Sequence, residues 1–90
     1  MVEALEPNPS HGNARLAFSL GQASRVEVGV YDVGGRRIRL VESAQLAAGS
    51  HEAAWDGRDE DGARVRAGVY FVSLQVDGRA AGTRRLIVLR

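Results

Sequence analysis

The sequence predicts an all-β domain, a sandwich of about seven short antiparallel strands. Three observations lead there. Apolar residues recur with a period of two, glycine-containing turn pairs separate the alternating runs, and no stretch has both the period and the length of a stable helix.

Leu16, Phe18 and Leu20 alternate with small or polar residues in ARLAFSL, so one face of that run belongs in a core. Val26, Val28 and Val30 repeat the pattern in RVEVGVYD, and Ile38 and Leu40 alternate with Arg37 and Arg39 in RRIRLV. Tyr70, Val72, Leu74 and Val76 share one face of VYFVSLQVD, with Ser73, Gln75 and Asp77 on the other. The last run, TRRLIVLR, is continuously apolar over residues 86–89 and predicts a strand covered on both faces. Gly34-Gly35 and Asp77-Gly78 are hairpin signals, because the favoured tight turns need positive φ. Gly49 marks a looser connection, while SAQLAAG has a helical flavour but is too short to stand alone. Two prolines, a glycine and two asparagines in PNPSHGN predict an irregular lead-in over residues 1–13. The whole chain, residues 1–90, reads as one immunoglobulin-like β-sandwich domain.

Composition removes several functions. No run approaches the roughly 20 apolar residues of a membrane-spanning helix, so membrane insertion is not expected. The N-terminus lacks the basic and apolar regions of a signal peptide, so an export leader would lie on a parent chain. With no cysteine there are neither disulfides nor thiolate metal sites. All 12 basic residues are arginine, which removes Schiff-base chemistry and lysine isopeptide bonds. A net charge of +1 argues against nucleic acid, which needs a clear basic excess. Arg36, Arg37 and Arg39 are read as a solvated hairpin edge, where charge discourages strand pairing.

Taken in order, EPNPSHGNARLAFSL, VYDVGGRRIRLV, LAAGSHEAAWDGRDEDGARVRAGVYFVSL and TRRLIVLR resemble the FlgD-like immunoglobulin-like domain of flagellar hook-capping proteins. They are also similar to the related C-terminal sorting domain of type IX secretion cargo. The most specific pieces are the tyrosine-aspartate-x-x-glycine hairpin, the tryptophan-aspartate-glycine turn and Gly68-Val69-Tyr70. The resemblance implies a module at the end of an exported bacterial protein, reaching the cell surface or medium through the periplasm. It further implies recognition of the folded domain and its last strand by secretion machinery. The hook-capping relatives imply a structural part of an assembly instead. Sorting domains often end in a lysine-bearing strand, whereas here Arg84, Arg85 and Arg90 stand in that stretch.

The acidic loop WDGRDEDG is the obvious place to look for chemistry. Aligning Gly62 with the central glycine of an EF-hand puts Gly57 and Gly68 where the first and twelfth ligands belong, which excludes that motif. Asp56, Asp59 and Asp61 are the residues from which a looser calcium site would be built; no other cofactor is expected. The structural reading accounts for more residues. Trp55 fills the core, Asp56 caps backbone N–H groups, Gly57 and Gly62 supply turns, and Asp59 and Glu60 face water at the loop tip. Crowded acids on one solvated loop do not form a catalytic pair with unequal environments. Ser10, His11 and Asp32 lack a nucleophile elbow, and His11 and His51 lack zinc spacing, so no enzyme is expected.

Tyr70 is placed as a core residue whose phenol bonds back to nearby backbone, as in a tyrosine corner. Truncating Trp55 or Tyr70 to alanine is therefore expected to damage folding first, at about 3–5 kcal/mol for a large buried aromatic. Phe18, Trp55 and Tyr70 are assigned to the core, leaving only Tyr31 and Phe71 outside it, few for a carbohydrate-binding sandwich. The expected working surface is the last strand, with Arg84, Arg85 and Arg90 contacting a protein by charge pairing and strand addition at an open edge. In isolation the domain is expected to be monomeric.

Overall fold

The computed structural model describes residues 1–89. Its strands are β1 (Val2–Glu6), β2 (Ala14–Leu20), β3 (Ser24–Tyr31), β4 (Arg37–Leu46), β5 (Gly49–Trp55), β6 (Gly68–Val76) and β7 (Arg79–Val88). They form two antiparallel sheets, β1-β2-β5 and β4-β3-β6-β7. This is the all-β immunoglobulin-like sandwich that the alternating runs predict, with seven strands and no helix among the described residues.

The core forms because each central strand turns its apolar set to the same side. Leu16 and Phe18 of β2 meet Val26, Val28 and Val30 of β3, all at 0–1% exposure. Leu74 of β6 and Leu86 of β7, both fully buried, close the layer. Burial of this kind stabilises a domain by about 1.5–3 kcal/mol for each large side chain.

Three elements differ from the sequence expectation. Residues 2–6 of the expected lead-in form β1; only the following segment keeps an irregular path. A register shift between Val2 and Ala4 spaces the buried residues, Val2 and Leu5, three apart, so alternation fails there. In β4 the ladder shifts opposite Val28 and Gly29. That extra residue changes the phase, so Ile38 and Val41 pack on the core instead of Ile38 and Leu40. In β7, Leu86 and Val88 are buried, but Ile87 is half-buried and Leu89 is 42% exposed. Among the described residues no second layer covers the outer face of this strand.

The lead-in after β1 fastens to β7. Ser10 N–H donates to the Ile87 carbonyl (2.8 Å), and Leu89 N–H donates to the Ser10 carbonyl (2.7 Å), making a parallel bridge beside Val88. The Asn8 side chain extends that bridge like a strand backbone, donating to the Arg85 carbonyl (2.6 Å) and accepting from Ile87 N–H (3.0 Å).

Candidate functional site

The acidic loop is held at both ends by aromatic side chains. Trp55 ends β5 at 4% exposure, and its indole N–H donates to the Arg58 carbonyl (2.9 Å). Its ring lies 6.2 Å from that of Tyr70, tilted by 56°. The Tyr70 hydroxyl donates to the Arg66 carbonyl (2.6 Å), so each ring buries its apolar body and uses its polar tip to fix one end of the loop. Gly68 opens β6 opposite Val88, two residues before Tyr70.

Between those anchors the carboxylates serve the backbone. Asp56 accepts from Arg58 N–H (3.0 Å) and lies 3.5 Å from the Arg39 guanidinium. Gly57 has φ +80°, and a Cβ there would sit 2.7 Å from the Gly12 carbonyl oxygen, so only glycine fits this approach. Asp59 accepts from Asp61 N–H (2.9 Å) and Ala63 N–H (3.0 Å) through one oxygen, and Gly62 closes the turn at φ +82°. The Asp61 carboxyl faces solvent. Asp56, Asp59 and Asp61 thus point to three different tasks. No group of three or more His, Asp or Glu side chains suited to a metal ion occurs among the described residues.

The loop tip departs from expectation. Glu60 N–H donates to the Ile38 carbonyl (3.0 Å), and its carboxylate accepts from Leu40 N–H (2.8 Å), capping the edge of β4. Asp59 is half-buried within its turn. Arg39 reaches over from β4 and donates to the Arg58 and Asp59 carbonyls (3.2 Å each). The sequence places Arg39 on a solvated hairpin edge and Glu60 at a solvated loop tip, and it hides their contacts because each acts through a partner about twenty residues away. The three hairpin arginines do not form one patch. Arg36 lies 3.7 Å from Asp32, Arg39 serves the loop, and the Arg37 stem lies over Gly29.

The last-strand arginines are also split. Arg84 reaches toward β1 and donates to the Val2 carbonyl (3.3 Å), whereas Arg85 sits opposite Phe71 on the outer face of the four-stranded sheet. Adjacent strand residues point to opposite faces, so one surface cannot carry both. Arg90 lies outside the described residues. The edge along residues 85–89 is occupied by Asn8 and Ser10, which closes it to strand addition. Ser10 is fully buried; its hydroxyl accepts from Gly12 N–H and donates to the Asn13 carbonyl. His51 stacks on Phe18 with centroids 5.7 Å apart, while His11 lines a separate cleft of about 180 Å³ beside Asp56 and Arg64.

The profile of the FlgD Ig-like domain matches residues 7–79. The chain belongs to the FlgD immunoglobulin-like domain family. It is 36% identical over 52 residues to the basal-body rod modification protein FlgD of Salmonella typhimurium, which covers 58% of this chain and 22% of that protein. The chain therefore matches about a fifth of the relative's length. Among solved structures, FlgD of P. aeruginosa superposes with a TM-score of 0.67 and 31% identity, over 83% of this chain and 60% of that one. Dimeric latent PorU of Porphyromonas gingivalis superposes with a TM-score of 0.82 over 98% of this chain and 9% of its own, at 22% identity, a likeness of fold. PorZ, a surface component of the type IX secretion system of the same bacterium, gives 0.65 and 26% identity over 99% of this chain and 11% of its own. Family and fold together support a structural immunoglobulin-like module. No helix among the described residues is long and apolar enough to cross a membrane.

Proposed function

We propose that the domain is a non-enzymatic attachment and sorting module of an exported bacterial protein, recognised by secretion machinery as a folded unit. The observation that carries this reading is the double clamp on β7, paired with β6 on one edge and with Asn8 and Ser10 on the other. A last strand held on both edges is a surface of the folded domain and not a free tail awaiting a partner. The likeness to PorZ, a surface component of a type IX system, supports export through the periplasm to the cell surface. The contact surface would include Arg85, with Arg84 held against β1.

The test is a fusion of this chain behind a periplasmic reporter in a bacterium with a type IX system. The wild-type fusion is expected at the surface or in the medium. Leu86→Asp, which puts a charge in a fully buried site, is expected to unfold the domain and leave the reporter in the periplasm. A folded wild-type fusion that stays periplasmic would overturn the sorting role. Deleting residues 86–90 is less informative, since it also strips Leu86 and Val88 from the core.

A second reading, a structural assembly module, is favoured by the 31% identity to FlgD of P. aeruginosa. Sedimentation at high protein concentration separates the two, since an assembly module associates with itself while a sorting module stays monomeric.

A further inference from the structure

The outer face of the four-stranded sheet carries an ordered row of side chains. Tyr31 of β3 pairs with Phe71 of β6. Tyr31 pairs on its other side with Arg37 of β4, and Phe71 pairs with Arg85 of β7. Directly paired residues share a face, so Arg37, Tyr31, Phe71 and Arg85 form one transverse line across the sheet. The Tyr31 ring leans across Gly29, where a Cβ would lie 3.0 Å from its Cε1 and 3.4 Å from the Arg37 stem. Any larger residue at Gly29 would lift the ring off the sheet. Beside the two aromatics runs an open groove of about 370 Å³, bounded at the hairpin tip by Val33, which is 74% exposed.

No carboxylate among the described residues pairs directly with the arginines of this row, although Arg37 lines a cleft with Asp59, Glu60 and Asp61. Neither the Arg37 nor the Arg85 guanidinium has an ion pair or hydrogen bond among the described residues. Asp32, the acid lining the groove, is already committed: one oxygen accepts two backbone N–H groups and the other lies 3.7 Å from Arg36. Two free cations therefore bracket two aromatic rings. The apolar ground continues on the same face with the Val69–Ile87 pair, Val69 being 38% exposed.

We infer that this row is a docking site for an extended acidic segment of a partner protein, with an apolar side chain seated on Tyr31 and Phe71 and a carboxylate at each arginine. Arginine forks suit carboxylates, and exposed apolar patches rimmed by polar groups are typical of protein interfaces. Val33, Val69 and Ile87 extend the patch with apolar contacts that suit the side chains of a polypeptide, while Ser73, Gln75 and Thr83 line the groove with polar groups that can bond its backbone. A net charge of +1 gives no field for a phosphate backbone. Three strand spacings of about 4.8 Å separate β4 from β7, so the arginine Cα atoms lie about 14 Å apart. An extended chain spans that distance in about four residues, which sets the spacing of the two carboxylates.

This inference goes beyond the sorting role and is tested without any export assay. A display library of linear dodecapeptides is panned on the 90-residue chain, with counter-selection on the Arg37→Glu, Arg85→Glu double variant. Enriched sequences are expected to carry two carboxylates about four positions apart with an apolar residue between them. A synthetic peptide of that sequence should bind at least tenfold more weakly to the double variant, with the melting temperature unchanged, and more weakly as salt rises. Phe71→Ser should weaken binding to a similar degree. Enrichment independent of the two arginines, or no enrichment, overturns the proposal. So does tighter binding of oligogalacturonate or oligo-dT than of the selected peptide.

Discussion

Residues 32–36 and 59–63 are the same turn built twice. In each, the aspartate N–H donates to the carbonyl four residues on, and the aspartate carbonyl accepts from the glycine N–H. In each, one carboxylate oxygen accepts from the second and fourth N–H groups ahead, and glycine takes the left-handed position, at φ +85° for Gly35 and +82° for Gly62. What differs is the support. The first turn closes a hairpin whose strands pair from Tyr31–Arg37 to Ser24–Leu46. The second sits in a loop with a single bridge, Arg58–Arg64, and is held instead by Trp55 beneath it and by Arg39 and Glu60 across it. A local motif is sufficient where a ladder continues it. Where none does, distant side chains must replace the ladder.

Removing that distant support should give the largest effect. Trp55→Ala takes away the floor of the second turn and is expected to cost about 3–5 kcal/mol in urea unfolding, enough to threaten folding in so small a domain. Asp59→Ala should cost about 1–2 kcal/mol, as loss of a cap does, and Asp32→Ala distinctly less, because the hairpin ladder remains. Equal costs for the two would show that the docking contacts support the second turn as well as the ladder supports the first. Gly35→Ala and Gly62→Ala should each cost about 1 kcal/mol, and equally, since a Cβ meets no atom within 4 Å at either site and only the backbone conformation is penalised. The smallest effect is expected from Glu60→Gln, about 0.5 kcal/mol or less, which keeps an acceptor but not its charge. It should hasten hydrogen exchange at Leu40 N–H and leave Arg36 N–H unchanged.

Periodicity was legible wherever the strands run without interruption. Leu16-Phe18-Leu20, Val26-Val28-Val30 and Tyr70-Val72-Leu74 point inward as their alternation requires. It failed at β1 and in the middle of β4, because a register shift inserts a residue and resets the phase of every side chain beyond it. The glycines of the two turns, Gly35 and Gly62, were legible as local turn signals, whereas Asp59, expected to face water, is the carboxylate that closes the second turn. The docking of that turn was not legible, since Arg39 and Glu60 act across the fold. The separation of Arg84 from Arg85 was available from strand geometry alone, as neighbours on a strand face opposite ways. The row joining Arg37, Tyr31, Phe71 and Arg85 was not, because it depends on three registers at once.

The bridge between Ser10 and Val88 is parallel, and this decides how the domain answers to tension. When a parallel pair is pulled from the N-terminal end of one segment and the C-terminal end of the other, the two slide past each other. Their hydrogen bonds are then loaded together in shear, whereas an antiparallel pair pulled from adjacent ends opens one bond at a time. The bonds from Asn8 and Ser10 to Arg85, Ile87 and Leu89 would share such a load once β1 has been peeled away. The segment that follows β1 and the strand β7 thereby form a latch against tension applied along that pair.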